Sequence, residues 1–308
     1  MPSDALARAR RLGAQDGKLP HVTGADGRWQ YLSPLVPEPE AFTGLPWTGG
    51  FVAGQLRLVG EDATDIDALL APRAEQPTTH DLGFLFWTAG DELRRRAART
   101  LAQRSLPCGV IQVAGSLDDP AWRGRTIVDT WPNLRIADEA VARAHLEATL
   151  DVLLRPDGST FHAARFADDG TVLERGTVNG LHDDSTWARG QAWAILGLAG
   201  CGYRPEAERA ARWFLDHLPP DGIPPWDFSA DHPKDASAAA IAASALFELG
   251  WDDDARRLLA ALEPCLNRGD GDGILLHCAY RPKQGIGADC ATAWGDFFLL
   301  DALQTAAM

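Results

Sequence analysis

The sequence predicts an all-α fold, an (α/α)6 toroidal barrel of about twelve helices. Three observations carry that reading. Apolar residues recur at helical spacing along most of the chain, while the strict alternation of a strand is scarce. Clusters of Gly, Pro and Asp punctuate the periodic runs, as at Pro156-Asp157-Gly158, Pro219-Pro220-Asp221-Gly222 and Gly269-Asp270-Gly271-Asp272-Gly273. The helices also come in unlike pairs, one rich in Ala or Gly and one charged. Inner helices packed through small residues, with outer helices facing water, explain that alternation.

Along the chain, helices are expected at about 4–13, 50–60, 63–72, 81–89 and 91–104, with a further helix or turn after Asp129. They continue at about 138–154, 184–200, 205–218, 235–249, 252–265 and 290–306. Asp183-Asp184-Ser185-Thr186 supplies the acids and hydroxyls that suit a helix start. Asp235-Ala236-Ser237-Ala238-Ala239-Ala240 opens a helix of small residues, and Asp252-Asp253-Asp254-Ala255-Arg256-Arg257 opens its charged neighbour. The best strand-like pieces, 109–113 and 273–278, read as short ribbons between helices. No linker or low-complexity segment interrupts the pattern, so residues 1–308 are expected to form a single domain.

Composition narrows the function. Hydrophobic content of 45% and charged content of 23% are those of a soluble globular protein. A formal net charge of −14 argues against nucleic acid or an anionic membrane as the main partner. It leaves room for an acidic small substrate, because a local pocket can reverse the global sign. No apolar run approaches membrane-spanning length, and Met1 to Pro20 lacks the apolar segment of a signal peptide. The five cysteines are scattered and include no C-x-x-C; they read as buried thiols in a reducing compartment, hence a cytoplasmic location.

The most informative stretch is Asp183-Asp184-Ser185-Thr186-Trp187-Ala188-Arg189-Gly190-Gln191-Ala192-Trp193. Arg189 and Trp193 are four apart and share a helix face, as do Trp187 and Gln191. Tryptophan faces with a fixed fork of donors make a surface for a sugar ring that carries a carboxylate. Eleven tryptophans against three tyrosines extend the theme, since Trp47-Thr48-Gly49, Asp129-Thr130-Trp131, Trp226-Asp227 and Trp294-Gly295-Asp296 repeat the pairing with Gly, Asp or Thr. Any one of these rings could equally be core.

Asp81 and Asp129 are lone acids at the edges of apolar runs. The ordinary reading of each is a helix N-cap. Burial, or a second carboxylate nearby, would instead raise a carboxyl pKa toward that of a general acid. His162, beside Phe161, reads either as a satisfied side chain or as a site residue, and His80 and His182 share that ambiguity. No H-E-x-x-H, G-x-S-x-G, Walker loop or G-x-G-x-x-G is present, which removes zincins, common serine hydrolases, P-loop enzymes and simple dinucleotide binders. Asp183-Asp184 lacks the second acidic cluster that a magnesium site would need.

Taken together, the motifs resemble the unsaturated glucuronyl hydrolases, glycoside hydrolase family 88, from about Pro20 to Leu303. The carriers are Trp47-Thr48-Gly49-Gly50-Phe51, His80-Asp81-Leu82-Gly83-Phe84, Val128-Asp129 and Arg155-Pro156-Asp157-Gly158-Ser159-Thr160-Phe161-His162. They continue with Asp184 to Trp193, Trp226-Asp227-Phe228, Asp235 to Ser244 and Trp294-Gly295-Asp296. The resemblance implies an (α/α)6 barrel with the site in its mouth, no metal or organic cofactor, and an acidic oligosaccharide substrate left by a polysaccharide lyase. It also implies hydration of the C4=C5 enol ether of a terminal uronate, with Asp129 as acid/base, Asp81 beside it and His162 as the family histidine. Trp47, Asn179, Trp187, Arg189, Gln191 and Trp193 would form the substrate subsite, with Arg189 facing the carboxylate or ring oxygens.

The chain departs from the family pattern at Val178-Asn179-Gly180, where a His-Gln-Gly is typical, and in shorter stretches after Phe86, Leu134 and Leu198. Three alternatives stand beside the leading reading. One is an unsaturated rhamnogalacturonyl hydrolase with the same chemistry. Another is a degenerate sugar-binding barrel, which the retention of both Asp81 and Asp129 argues against. The third is a sugar epimerase, which would need two histidines as acid and base.

Overall fold

A computed structural model describes residues 3–37 and 45–308. Among them are twelve α-helices. The first six are α1 (Ser3–Arg10), α2 (Gly49–Leu58), α3 (Thr64–Leu70), α4 (Leu82–Phe86), α5 (Asp91–Ala102) and α6 (Thr130–Asn133). The rest are α7 (Glu139–Leu153), α8 (Ala188–Gly200), α9 (Arg204–Asp216), α10 (Ala236–Glu248), α11 (Asp252–Leu262) and α12 (Ala293–Ala306). The even-numbered helices pack in sequence, α2 on α4, then α6, α8, α10 and α12, and α12 returns to α2. That closed inner ring is the (α/α)6 barrel the helix pairing predicts. Odd-numbered helices flank it, with α3 on α2, α5 on α4, α9 on α8 and α11 on α10 and α12.

Side-chain size explains the two layers. In α10, Ala236-Ser237-Ala238-Ala239-Ala240 is buried on every face, because small residues let neighbours approach from all sides. Its outer partner α11 buries only Ala255, Leu258 and Leu262, a single stripe. Two glycines allow close approaches between inner helices near the site. A Cβ on Gly83 of α4 would lie 2.3 Å from the Asn133 Cα of α6. One on Gly197 of α8 would lie 2.5 Å from the Pro132 nitrogen. The ring is sealed between the two ends of the chain. Gln55 Nε2 donates to the Ala293 carbonyl at 2.8 Å, Thr23 N to Ala291 O at 2.9 Å, and Ala291 N to Thr23 Oγ1 at 2.9 Å.

Strands are few. β1 (Leu19–Thr23) and β2 (Trp29–Leu32) form an antiparallel hairpin, and β3 (Arg125–Ile127), β4 (Ala163–Phe166) and β5 (Val172–Gly176) form an antiparallel sheet in the order β3-β4-β5. The expected ribbons at 109–113 and 273–278 are not strands. They make only single bridges, Ser105 to Ile111, Leu266 to Leu275 and Cys278 to Cys290. Val110, Ile111, Ile274 and Leu275 are apolar because they are buried, and burial alone produced the strand-like run. The helix expected from 184 begins four residues later. Ser185 Oγ donates to Asp227 Oδ2 at 2.6 Å, and Thr186 Oγ1 accepts from Arg155 Nη1 at 3.0 Å, so these polar residues brace a loop instead of capping α8. Among the described residues, no helix is long and apolar enough to cross a membrane.

Candidate active site

The shortest inner helices bring two aspartates to one cavity. α4 has five residues and α6 has four, and their N-cap positions are Asp81 and Asp129. Neither side chain caps its helix. Both instead line a cavity of about 520 Å³. The ordinary reading was right about position and wrong about what the carboxylates do. Phe84 N donates to Asn133 Oδ1 at 2.6 Å and Asn133 Nδ2 to Asp129 O at 2.8 Å, so one amide ties the two helix starts together.

The two carboxylates sit in opposite environments. Asp81 Oδ2 accepts from Thr79 Oγ1 at 2.5 Å, and Oδ1 lies 3.2 Å from His80 Nε2. His80 is fixed in turn by Thr130 Oγ1, 2.7 Å from its Nδ1. Burial works against the Asp81 anion, but His80, the Thr79 hydrogen bond and the Arg73 charge outweigh it and hold its pKa below the usual value. Asp129 lacks a comparable hydrogen bond at Oδ1, which is buried without a partner. Burial, aided by the Asp81 charge and opposed by His80 and Arg189, pushes Asp129 up to about 7. A neutral carboxylic acid beside an ionised one is the arrangement a proton donor at neutral pH requires.

His162 lies beside the Asp129 segment, its carbonyl accepting from Val128 N at 2.9 Å. Its Nδ1 accepts from Val178 N at 2.9 Å and lies 3.1 Å from Thr177 Oγ1, while Nε2 is buried with no partner. Burial, reinforced by the Arg189 charge, lowers its pKa to about 3. The accepting Nδ1 assigns the proton to Nε2. His162 is therefore a neutral donor with an open hydrogen-bonding position, braced by Trp187 at 4.9 Å.

No protein-family model matches the chain. The unsaturated glucuronyl hydrolase of Bacillus sp. (strain GL1) is 31% identical over 361 residues, covering 97% of this chain and 94% of that protein. An unsaturated chondroitin disaccharide hydrolase of Streptococcus pyogenes serotype M1 is 30% identical over 83% of this chain and 80% of its own length. The crystal structure of the Bacillus sp. GL1 enzyme superposes with a TM-score of 0.85 at 29% identity, over 97% of this chain and 94% of that one. A structure of an unsaturated glucuronyl hydrolase specific for heparin gives the same TM-score at 25% identity. The chain belongs to the unsaturated glucuronyl hydrolases, glycoside hydrolase family 88.

As a hydrolase of this family, the chain places its expected substrate residues unevenly. Trp47, Asn179, Trp187 and Arg189 line the cavity with Asp81, Asp129 and His162. Gln191 and Trp193 do not. Gln191 is buried, and its Nε2 donates to the Gly158 and Ala210 carbonyls at 2.7 and 3.0 Å. Trp193 is fully buried, with its ring centre 4.7 Å from that of Phe84 and 5.4 Å from that of Phe298. Their helical spacing was real, but it carries them to faces that hold the ring together. Arg189 is also less free than expected. Its guanidinium pairs with Asp235 at 3.0 Å and donates to the Tyr280 carbonyl at 3.0 Å and to the Ala279 carbonyl, leaving only Nε without a partner.

Sequence reasoning missed the cations that remain available. Arg281 and Lys283 line the cavity, and neither has an ion pair among the described residues. Arg281 Nη1 is buried without a partner. Two cations flanking Pro282 in so acidic a chain were the signal that could have found them. Asp227, Asp235 and Asp296, each part of a family-like motif, are structural. Asp227 holds Ser185 and the Leu181 N–H, Asp235 holds Ser237 and Arg189, and Asp296 accepts from Ile274 N and Leu275 N. Among the described residues, no group of three or more His, Cys, Asp or Glu side chains could hold a metal ion.

Proposed function

We propose that this chain, as one catalytic domain, releases a 4,5-unsaturated uronate from the non-reducing end of an oligosaccharide by hydrating its C4=C5 enol ether. The observation that carries this is the buried, unpartnered Oδ1 of Asp129, raised to about 7, in a cavity shared with ionised Asp81. Asp129 gives its proton to C4, and the positive charge that develops at C5 and the ring oxygen is stabilised by the two carboxylates. Water adds at C5 and returns a proton to Asp129. The resulting hemiketal opens, and the sugar at C1 leaves. His162, a neutral donor through Nε2, holds a substrate oxygen. Arg281 and Lys283 supply the positive charge for the uronate carboxylate, with Trp47 and Trp187 as apolar walls.

The test is loss of enol-ether absorbance from an unsaturated disaccharide, followed by the fate of labelled water. ¹⁸O should enter at C5 of the released uronate, and saturated aryl glucuronides should be inert. Label at C1, or brisk turnover of the saturated glucuronide, would mean direct attack at the anomeric carbon by two carboxylates and would remove the hydration mechanism.

A further inference from the structure

Two buried arginines grip the segments that carry Asp81 and Trp47, and the mechanism above uses neither. Arg73, in the turn after α3, and Arg104, two residues beyond α5, are 0% and 1% exposed. Among the described residues neither has an ion pair, and backbone carbonyls hold both. Arg104 gives Nε to Gln112 O at 2.8 Å, Nη2 to Gly115 O at 3.2 Å and Nη1 to Pro77 O. Arg73 gives Nη1 to Pro34 O at 2.8 Å and to Pro46 O at 3.1 Å, and its Nε and Nη2 are buried without a partner. A buried guanidinium with no carboxylate against it is costly, so a fold that keeps two of them calls for an anion within reach.

That anion is Asp81. His80 N donates to Val113 O at 2.9 Å and Thr79 bridges Ala114, so the carbonyls of Pro77, Gln112 and Gly115 surround the Thr79-His80-Asp81 turn, and one guanidinium ties all three. Gln112 braces the same stretch, donating Nε2 to the Ala114 and Ser116 carbonyls at 2.8 and 2.9 Å. Arg73 grips Pro46, the residue before the cavity wall Trp47. Burial lowers both arginines to about 10, and the Asp81 charge opposes the fall in each, so both remain cations at neutral pH. The charged and titratable groups whose fields reach Asp81 are therefore His80 at 3.2 Å, Asp129 in the shared cavity, Arg73 and Arg104.

Resting on the hydration reading, we propose that Arg104 and Arg73 are positioning residues for the proton transfer: Arg104 fixes the Asp81 turn through three carbonyls, and the two buried cations together keep Asp81 an anion. Neither arginine lines the cavity, so neither meets the substrate. Removing either cation raises the Asp81 pKa. Activity that needs ionised Asp81 is present above that pKa and is lost as pH falls through it, so the acid limb of the pH–rate profile moves to higher pH. The alkaline limb, set by Asp129 at about 7, stays in place.

The experiment measures kcat and KM against pH on an unsaturated uronyl disaccharide for the wild type, Arg104→Met, Arg73→Met and Arg104→Lys. Both Met variants should raise the acid limb by about one pH unit, the low end of what a neighbouring opposite charge commands. Below that limb the shift reads as an about tenfold loss of kcat, with KM unchanged. Arg104→Lys gives up carbonyl bonds and keeps the charge, so its acid limb should match the wild type. Asp81→Asn covers the case in which the Met variants fail to fold. As it strips the counter-charge from two buried cations, it should lower the denaturant midpoint. A midpoint at or above that of the wild type would overturn the proposal, as would an unmoved acid limb in folded Met variants. An acid limb that moves as far in Arg104→Lys as in Arg104→Met would overturn it too. Each of these outcomes leaves the hydrolase reading intact. A wild type inert toward every unsaturated substrate would overturn that reading instead, and the Asp81→Asn midpoint would still report on the buried charges.

Discussion

The two halves of the inner ring use aspartates at helix starts for opposite ends. On one side, α4 and α6 are a single turn or little more, and Asp81 and Asp129 face a cavity. On the other, α8, α10 and α12 run for 13, 13 and 14 residues, and Asp235 and Asp296 are consumed by N–H groups, Ser237 and Arg189. Asp129 and Asp296 make the contrast sharp, since burial raises both to about 7. Asp296 has two backbone donors, one on each oxygen, whereas Asp129 has a bare buried oxygen. A raised pKa alone therefore does not single out a candidate acid; a raised pKa with an unused oxygen in a cavity does.

Substitutions at these positions should pull the two halves apart. The largest effect is expected for Asp129→Asn, a loss of about 10²–10⁴-fold in kcat. Stability should move the other way. Between about pH 4 and 7 the native state holds a proton on Asp129 that the unfolded chain has lost, so wild-type stability declines as pH rises through that window. The Asn variant has no such decline and should gain on wild type by on the order of 1–3 kcal/mol, discounted for solvent in the cavity, in thermal melts from pH 4 to 8. Retention of more than a tenth of the activity would take Asp129 out of the proton-transfer role.

Arg189→Ala tests the long-helix half, because it strands Asp235 with no counter-charge. Denaturant unfolding should show a loss of about 3–5 kcal/mol. A variant as stable as wild type would mean that the pair is solvated. Asp296→Asn should cost ~1–3 kcal/mol, since an amide sets its own N–H against one backbone donor, with kcat/KM per folded molecule unchanged. A catalytic defect in properly folded Asp296→Asn would join the two halves functionally and break the comparison.

The smallest effect is a displacement of the pH–rate profile. Activity should fall as pH rises through about 7, where Asp129 loses its proton. Asp81→Asn removes a charge that raises the Asp129 pKa, so the alkaline limb should move to lower pH, and the limb set by Asp81 ionisation should vanish. An unmoved profile would reduce Asp81 to a structural residue.

The architecture was readable because small-residue helices, as in 235–249, and charged helices, as in 252–265, need different neighbours. The positions of Asp81 and Asp129 were readable too, since an acid before an apolar run marks a helix start. What their side chains do was not, because capping and facing a cavity require the same residue at the same place. Gln191 and Trp193 misled for a related reason. An i, i+4 face is a face toward something, and in an inner helix every face meets protein. Arg281 and Lys283 escaped notice because they sit in an irregular segment around Pro282–Gln284, where no periodicity says which way a side chain turns.

The seal between the chain ends governs how the molecule comes into being. The Gln55–Ala293 and Thr23–Ala291 contacts join residues 238 and 268 positions apart. Contacts between consecutive inner helices close shorter loops and can form earlier, whereas the entropic cost of this last closure is met only when α12 arrives. During synthesis, α2 and α10 keep an unpartnered apolar face until α12 has left the ribosome. Five of the six inner helices can then assemble only as an open arc. A chain lacking residues 291–308 should stay in that state, binding hydrophobic dyes and lacking a cooperative melt. A sharp unfolding transition in the truncated chain would show that the arc is stable without its last member.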